Sequence, residues 1–151
     1  MCLWGGHLSR KLEEYGYNVY STDLIYRGYG DKESFDFLKE TLEYFEGDII
    51  TNPPYKYCSE FILKALESVQ PGHKVAMFLK LQTLEGQKRY NEVFKNNPPK
   101  VVYVYVKRKR CAMNGDFGKY SNEGMTHSAV AYAWFVWEKG FKGDPIIKWI
   151  N

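Results

Sequence analysis

The stretch Asn52-Pro53-Pro54-Tyr55 follows the short apolar run Asp48-Ile49-Ile50-Thr51 and holds the residues best suited to chemistry. An Asn side-chain oxygen and the carbonyl of the next proline are two acceptors on a short, stiff segment. Such a pair takes both hydrogens of an NH2 group and turns the nitrogen lone pair toward an electrophile. It also favours the positive charge the nitrogen gains in the transition state. The amine of a nucleobase, or an amide nitrogen, needs this help because its lone pair is delocalised. The prolines keep the acceptors aimed. Tyr55 offers a ring face for a planar substrate to stack on, worth roughly 1–3 kcal/mol per base. Asn and Pro also end strands in ordinary turns. The apolar strand before the segment, the Tyr after it and an acid upstream favour chemistry.

That acid is Asp23, at the end of the β-branched and aromatic run of residues 18–22. Asp36 is a second carboxylate. Phe35, Leu38, Leu42 and Phe45 around it follow helical spacing, which would set Asp36 in a first helical turn. Lys107-Arg108-Lys109-Arg110 concentrates cations before a polar, Gly-containing stretch with Phe117 and Tyr120. A basic run is usually a solvated face. Here it also suits phosphates, which position a nucleic acid without reading its sequence, with Phe117 a candidate for base stacking. His7 and His127 read as bystanders rather than catalysts. Cys2, Cys58 and Cys111 show no metal-ligand spacing, and no metal is expected.

The elements that must position these residues alternate. Residues 8–15 read as a helix stopped by Gly16, residues 18–22 as a strand and residues 48–51 as another. Phe61, Ile62, Ala65, Leu66 and Val69 recur at helical spacing up to Pro71-Gly72. Residues 74–81 form a buried-type strand, 84–95 a helix, and 101–106 and 128–137 two strands. The long stretch between the last two suits an antiparallel pair. The expected fold is α/β: a mostly parallel, Rossmann-like sheet with a final antiparallel strand and helices on both faces. Ligands of such sheets bind beyond the carboxyl ends of the strands, where Asp23 and Asn52 both fall.

Taken together, these motifs resemble the amino-methyltransferases that use S-adenosylmethionine, above all the small, phage-like N6-adenine DNA methyltransferases. The string DIITNPPY resembles their catalytic motif, which implies catalytic roles for Asn52, Pro53, Pro54 and Tyr55. Gly5-Gly6-His7 resembles the end of the family's cofactor loop. Asp23-Leu24 falls where the family binds the cofactor's ribose, and Asp36-Phe37 where it binds the adenine. The closing SAVAYAWFVWEKG resembles the family's last strand. The implied partner is DNA with an adenine target. The same loop type also serves RNA and protein-glutamine acceptors, and a non-catalytic nucleic-acid-binding remnant is a further alternative. Trp4 stands where the family has its first glycine, and the strand ahead of that loop has no counterpart. Such a gap leaves a strand edge that invites pairing, so a homodimer is an expected partner as well.

The 151 residues suit one domain. No apolar run is long enough to span a bilayer. The start, Met1-Cys2-Leu3-Trp4-Gly5-Gly6, lacks the layout of a signal peptide, and sparse cysteines suit reduced thiols. A cytoplasmic protein is expected. The charge of +3 says little alone, whereas the share of aromatic residues, 17%, suits either a core or a surface that stacks on flat ligands.

Overall fold

Alternation along two strands sets the architecture. In β2 (Lys74–Lys80), Val75, Met77 and Leu79 are buried, while Ala76 and Phe78 on the other side are half-exposed. In β4 (Tyr132–Glu138), Ala133, Phe135 and Trp137 are buried opposite them. The computed structural model describes residues 6–26, 28–32, 34–42, 45–107 and 130–151.

Five strands form one sheet in the order β1-β2-β4-β3-β5, with β1 Ile49–Thr51, β3 Val101–Tyr105 and β5 Ile146–Ile150. Strand β1 runs parallel to β2, and β3 parallel to β5. Strand β4 is antiparallel to both β2 and β3 and joins the two parallel pairs. Four strands therefore share one direction and a single strand opposes them.

The core lies on the face that carries Val75, Met77, Leu79, Val102, Phe135 and Trp137. Helix α2 (Cys58–Ser68) packs there because its buried residues, Cys58, Phe61, Ile62, Ala65 and Leu66, form one helical stripe. The last carbonyls of α2 are held from the sheet: Lys139 Nζ donates to Glu67 O at 3.1 Å and Val69 O at 2.6 Å. Val93, from a π-helical turn over Tyr90–Phe94, joins the same core.

Several expectations need correction. Among the described residues, α2 and the π-helical turn contact each other and share one face of the sheet. The antiparallel strand is not last in the chain or in the sheet, because the unexpected β5 follows it and pairs with β3. The sheet is thus mixed rather than mostly parallel in its pairing. Residues 18–22 do not form a strand. Thr22 forms an isolated bridge to Lys32 and Tyr20 is exposed; β-propensity without a ladder among the described residues does not make a strand. The helix expected over residues 84–95 breaks at Gly86, whose φ of 114° is not helical. A 3-10 turn (Leu81–Leu84) precedes that glycine, and one α-turn, α3 (Gln87–Arg89), follows it and runs into the π-helical turn. Around Asp36 a turn over residues 37–39 replaces the helical spacing.

The first helix, α1 (His7–Glu14), is close to expectation, and Gly16 ends it at φ 83°. Ser9 Oγ, buried on α1, accepts from Ser21 Oγ at 2.8 Å and ties the helix to the segment that leads to Asp23.

Candidate active site

Strand β1 ends in the buried Thr51 and delivers Asn52 at the carboxyl end of the sheet. Asn52 is half-buried and Pro53 fully so. Pro54 is exposed, with a φ of −57° and a ψ of 119° that turn the chain into a 3-10 turn over Tyr55–Tyr57. Pro54 O accepts from Tyr57 N at 2.9 Å, and α2 begins at once. The asparagine is thus fixed between a strand and a helix.

Asn52 Oδ1 is buried and has no hydrogen-bond partner among the described residues. Arg89 Nε shares that condition, but Nη1 of the same guanidinium donates to Thr83 O at 3.0 Å and Glu85 O at 2.7 Å. An unmatched buried acceptor costs about 1–3 kcal/mol. Here it sits on the residue that the chemistry of an oriented amine requires.

Tyr55 is half-buried and packs on the edge of the core. Its ring centroid lies 5.8 Å from that of Tyr132, and Lys80 Nζ stands 5.3 Å from its centre. Lys80 and Tyr132 were not expected at the site. The rule that strand ends carry ligands would have found Lys80, the last residue of β2.

Asp23, Leu24, Asp36 and Phe37 come together with Pro54 in one cleft of about 380 Å³. Asp23 O accepts from Phe35 N at 2.8 Å, which draws the two acidic segments side by side. Asp23 Oδ1 accepts from Ile25 N at 3.3 Å and Asp36 Oδ1 from Leu38 N at 3.2 Å, an Asx pattern that fixes each carboxylate on its turn. Asp36 also pairs with Lys39 at 3.2 Å. Phe37 stacks on Phe61 at 5.2 Å and 18°. Tyr57, and Phe61, which the sequence marks only as part of a helical stripe, complete the wall beside Pro54. Acceptor-only carboxylates set in an apolar cleft suit a ligand with a flat ring and hydroxyl or amine donors.

Gly6 and His7 do not line that cleft. Gly6 is buried, with a φ of 75°, and a Cβ there would lie 2.4 Å from the Tyr29 ring, so close packing alone requires glycine. His7 is exposed at the start of α1. Lys107 is exposed just beyond β3, at the same end of the sheet as Asn52. Gly5, Arg108, Lys109, Arg110 and Phe117 lie outside the described residues. A second, apolar cavity of about 340 Å³ runs along Ile49 and Ile50 of the edge strand β1 and shares Thr22, Phe35 and Phe37 with the cleft.

Among the described residues, no cluster of His, Cys, Asp or Glu could hold a metal, and no helix is long and apolar enough to cross a membrane. Tyr29 and Lys11 have pKa values displaced from their ordinary ones. Tyr29 is raised, first by removal from water and then by donating to the Glu13 carboxylate at 3.0 Å. Lys11 is raised by its hydrogen bond to Glu14.

No protein-family model matches the chain, and no curated protein does. Among solved structures it is similar to the crystal structure of an M1.HpyAVI–SAM complex, at 15% identity and a TM-score of 0.36. The match covers 70% of this chain and 58% of that one. A likeness this distant carries no weight on activity.

Proposed function

We propose that the chain is an S-adenosylmethionine-dependent methyltransferase that acts on the exocyclic N6 amine of adenine in DNA, with the sheet as a Rossmann-like scaffold. One observation carries this reading. Asn52 holds a buried, unmatched acceptor at the end of β1, two residues before the proline that walls a cleft containing two carboxylates. A chain with only structural demands on that loop would satisfy or expose the amide oxygen.

The residues divide the work. Asp23 would accept from the ribose hydroxyls of the cofactor, and Asp36 would accept from its adenine amine beside the Phe37 ring. Leu24, Tyr57 and Phe61 line the same cleft and give it apolar walls. When bound, the cofactor would supply a methyl group activated as a sulfonium, its C–S bond breaking to leave a neutral thioether as the N–C bond forms. Asn52 Oδ1 and Pro53 O accept the two hydrogens of the substrate amine and hold its nitrogen in line. They also stabilise the positive charge on that nitrogen before a proton leaves to water. Tyr55 stacks on the base, and Lys80 brings a cation beside it. Lys107 and the basic run after it hold phosphates.

The test is methyl transfer from radiolabelled cofactor to DNA, RNA and protein, with Asn52→Ala alongside. The expected result is label in DNA adenine and a loss of about 100- to 1000-fold in the variant, with cofactor affinity unchanged by calorimetry. Label in RNA or glutamine instead would move the substrate, and a variant of wild-type rate would remove Asn52 from the mechanism.

A further inference from the structure

We infer that the sheet face opposite α2, at the carboxyl end of the strands, is a platform for unpaired nucleotides, so that the site takes single-stranded nucleic acid in preference to duplex. The inference rests on the methyltransferase reading for its link to Tyr55, but the surface itself is argued from different residues.

Register places Phe78 opposite Trp134 and Trp134 opposite Tyr103 on this face. The Phe78 ring stacks on Tyr132 at 5.3 Å and 15°, and meets Trp134 at 5.3 Å and Tyr105 at 6.2 Å. Trp134 Nε1 donates to Tyr105 OH at 2.9 Å, which fixes both rings. All five aromatic residues remain half-exposed, whereas the other face of the same strands is buried under α2. Of the aliphatic residues of this face, Ile50, Ala76, Val101, Val136 and Ile146 lie toward the other end of the sheet, and Ile150 pairs with Tyr105 at the aromatic end. Rings with wet edges and phenol groups suit flat, partly polar ligands better than a dry interface.

Charge narrows the ligand. Lys80 ends β2 beside Tyr132, and Lys148 of β5 is exposed opposite Tyr103. Glu138, at the far end of β4 on this face, is neutralised by Lys100 at 2.7 Å. Flat rings bordered by cations match the bases and phosphates of one strand. Bases of an intact duplex are stacked on each other and present no ring face to a sheet. The array is also continuous with Tyr55 through Tyr132, so a strand laid on it would lead to Asn52.

The experiment measures fluorescence anisotropy of a labelled adenine-containing oligonucleotide as single-stranded DNA, single-stranded RNA and duplex DNA. The protein is compared with Tyr103→Thr, Lys148→Gln and the distant charge control Lys95→Gln. The expected result is single-strand binding about ten-fold tighter than duplex, and about ten-fold weaker in Tyr103→Thr. Lys148→Gln should reduce the slope of log affinity against log salt by about 0.7, and Lys95→Gln should not. Equal or tighter duplex binding, or an unchanged affinity in Tyr103→Thr, overturns the inference. So does sedimentation showing a dimer that shields Trp134 from acrylamide quenching. Preferential single-strand binding without any methyl transfer would sink the proposed activity and leave the platform standing. Methylation of duplex at full rate by Tyr103→Thr would do the reverse.

Discussion

The residues on the two sides of the candidate site are held by different means. Asn52 is fixed by main-chain structure: a parallel ladder to β2 before it and an α-helix soon after. Asp23 and Asp36 are fixed by short-range polar contacts in a segment that has, among the described residues, two isolated bridges and no strand between α1 and β1. There, Ser21 N donates to Asp31 Oδ2 at 2.6 Å, Asp31 N returns to Ser21 O at 2.8 Å, and Ser9 and Ser21 share a hydroxyl bond. Ladders spread a perturbation over many bonds, while a turn held by one carboxylate fails locally. The body should therefore set global stability, and the N-terminal segment should set ligand affinity.

Substitutions can break this contrast. The largest effect is expected from Phe135→Ala, in the middle of β4 and fully buried. It should destabilise the protein by about 3–5 kcal/mol in urea unfolding followed by circular dichroism. Asp36→Ala should weaken S-adenosylmethionine binding about ten-fold by calorimetry, with an unfolding midpoint close to wild type. Asp31→Ala leaves the Ser21 N–H without its acceptor and should cost affinity a few-fold. If it lowered the urea midpoint as far as Phe135→Ala does, the two regions would be one cooperative unit and the contrast would fail. The smallest effect concerns pH. The raised Tyr29 means that the fold favours the neutral phenol. Its contribution is complete below the ordinary tyrosine value of about 10 and is lost as pH rises through the higher folded value. Ultraviolet titration should show a late-ionising component that Tyr29→Phe removes.

The body was readable in the sequence because its signals are periodic and mutually consistent. The stripe of Phe61, Ile62, Ala65 and Leu66 and the alternation of residues 74–80 each suit one kind of element, and tertiary packing agrees. Strand β5 was not seen because Ile146, Ile147 and Trp149 are exposed and follow no alternation. The run at residues 18–22 misled because propensity describes a residue's comfort in a sheet and not whether a neighbour is there. At the site, Asn52 and the acidic pairs were legible as types. Tyr57 and Phe61 were not, since only the turn from Pro54 into α2 brings them to the cleft.

Because β4 alone connects the pair β1–β2 to the pair β3–β5, the order in which the chain is made has a consequence. When Tyr105 has left the ribosome, β1 and β2 can meet, but β3 has no neighbour to bond. The nascent protein must carry that unpaired strand until residues 132–138 emerge and close both ladders at once. Closure of the middle of the sheet is late, and only the outer strand β5 is then left to add. Slow translation or early termination ahead of Glu138 would leave a sticky half-molecule for chaperones to shelter or proteases to clear.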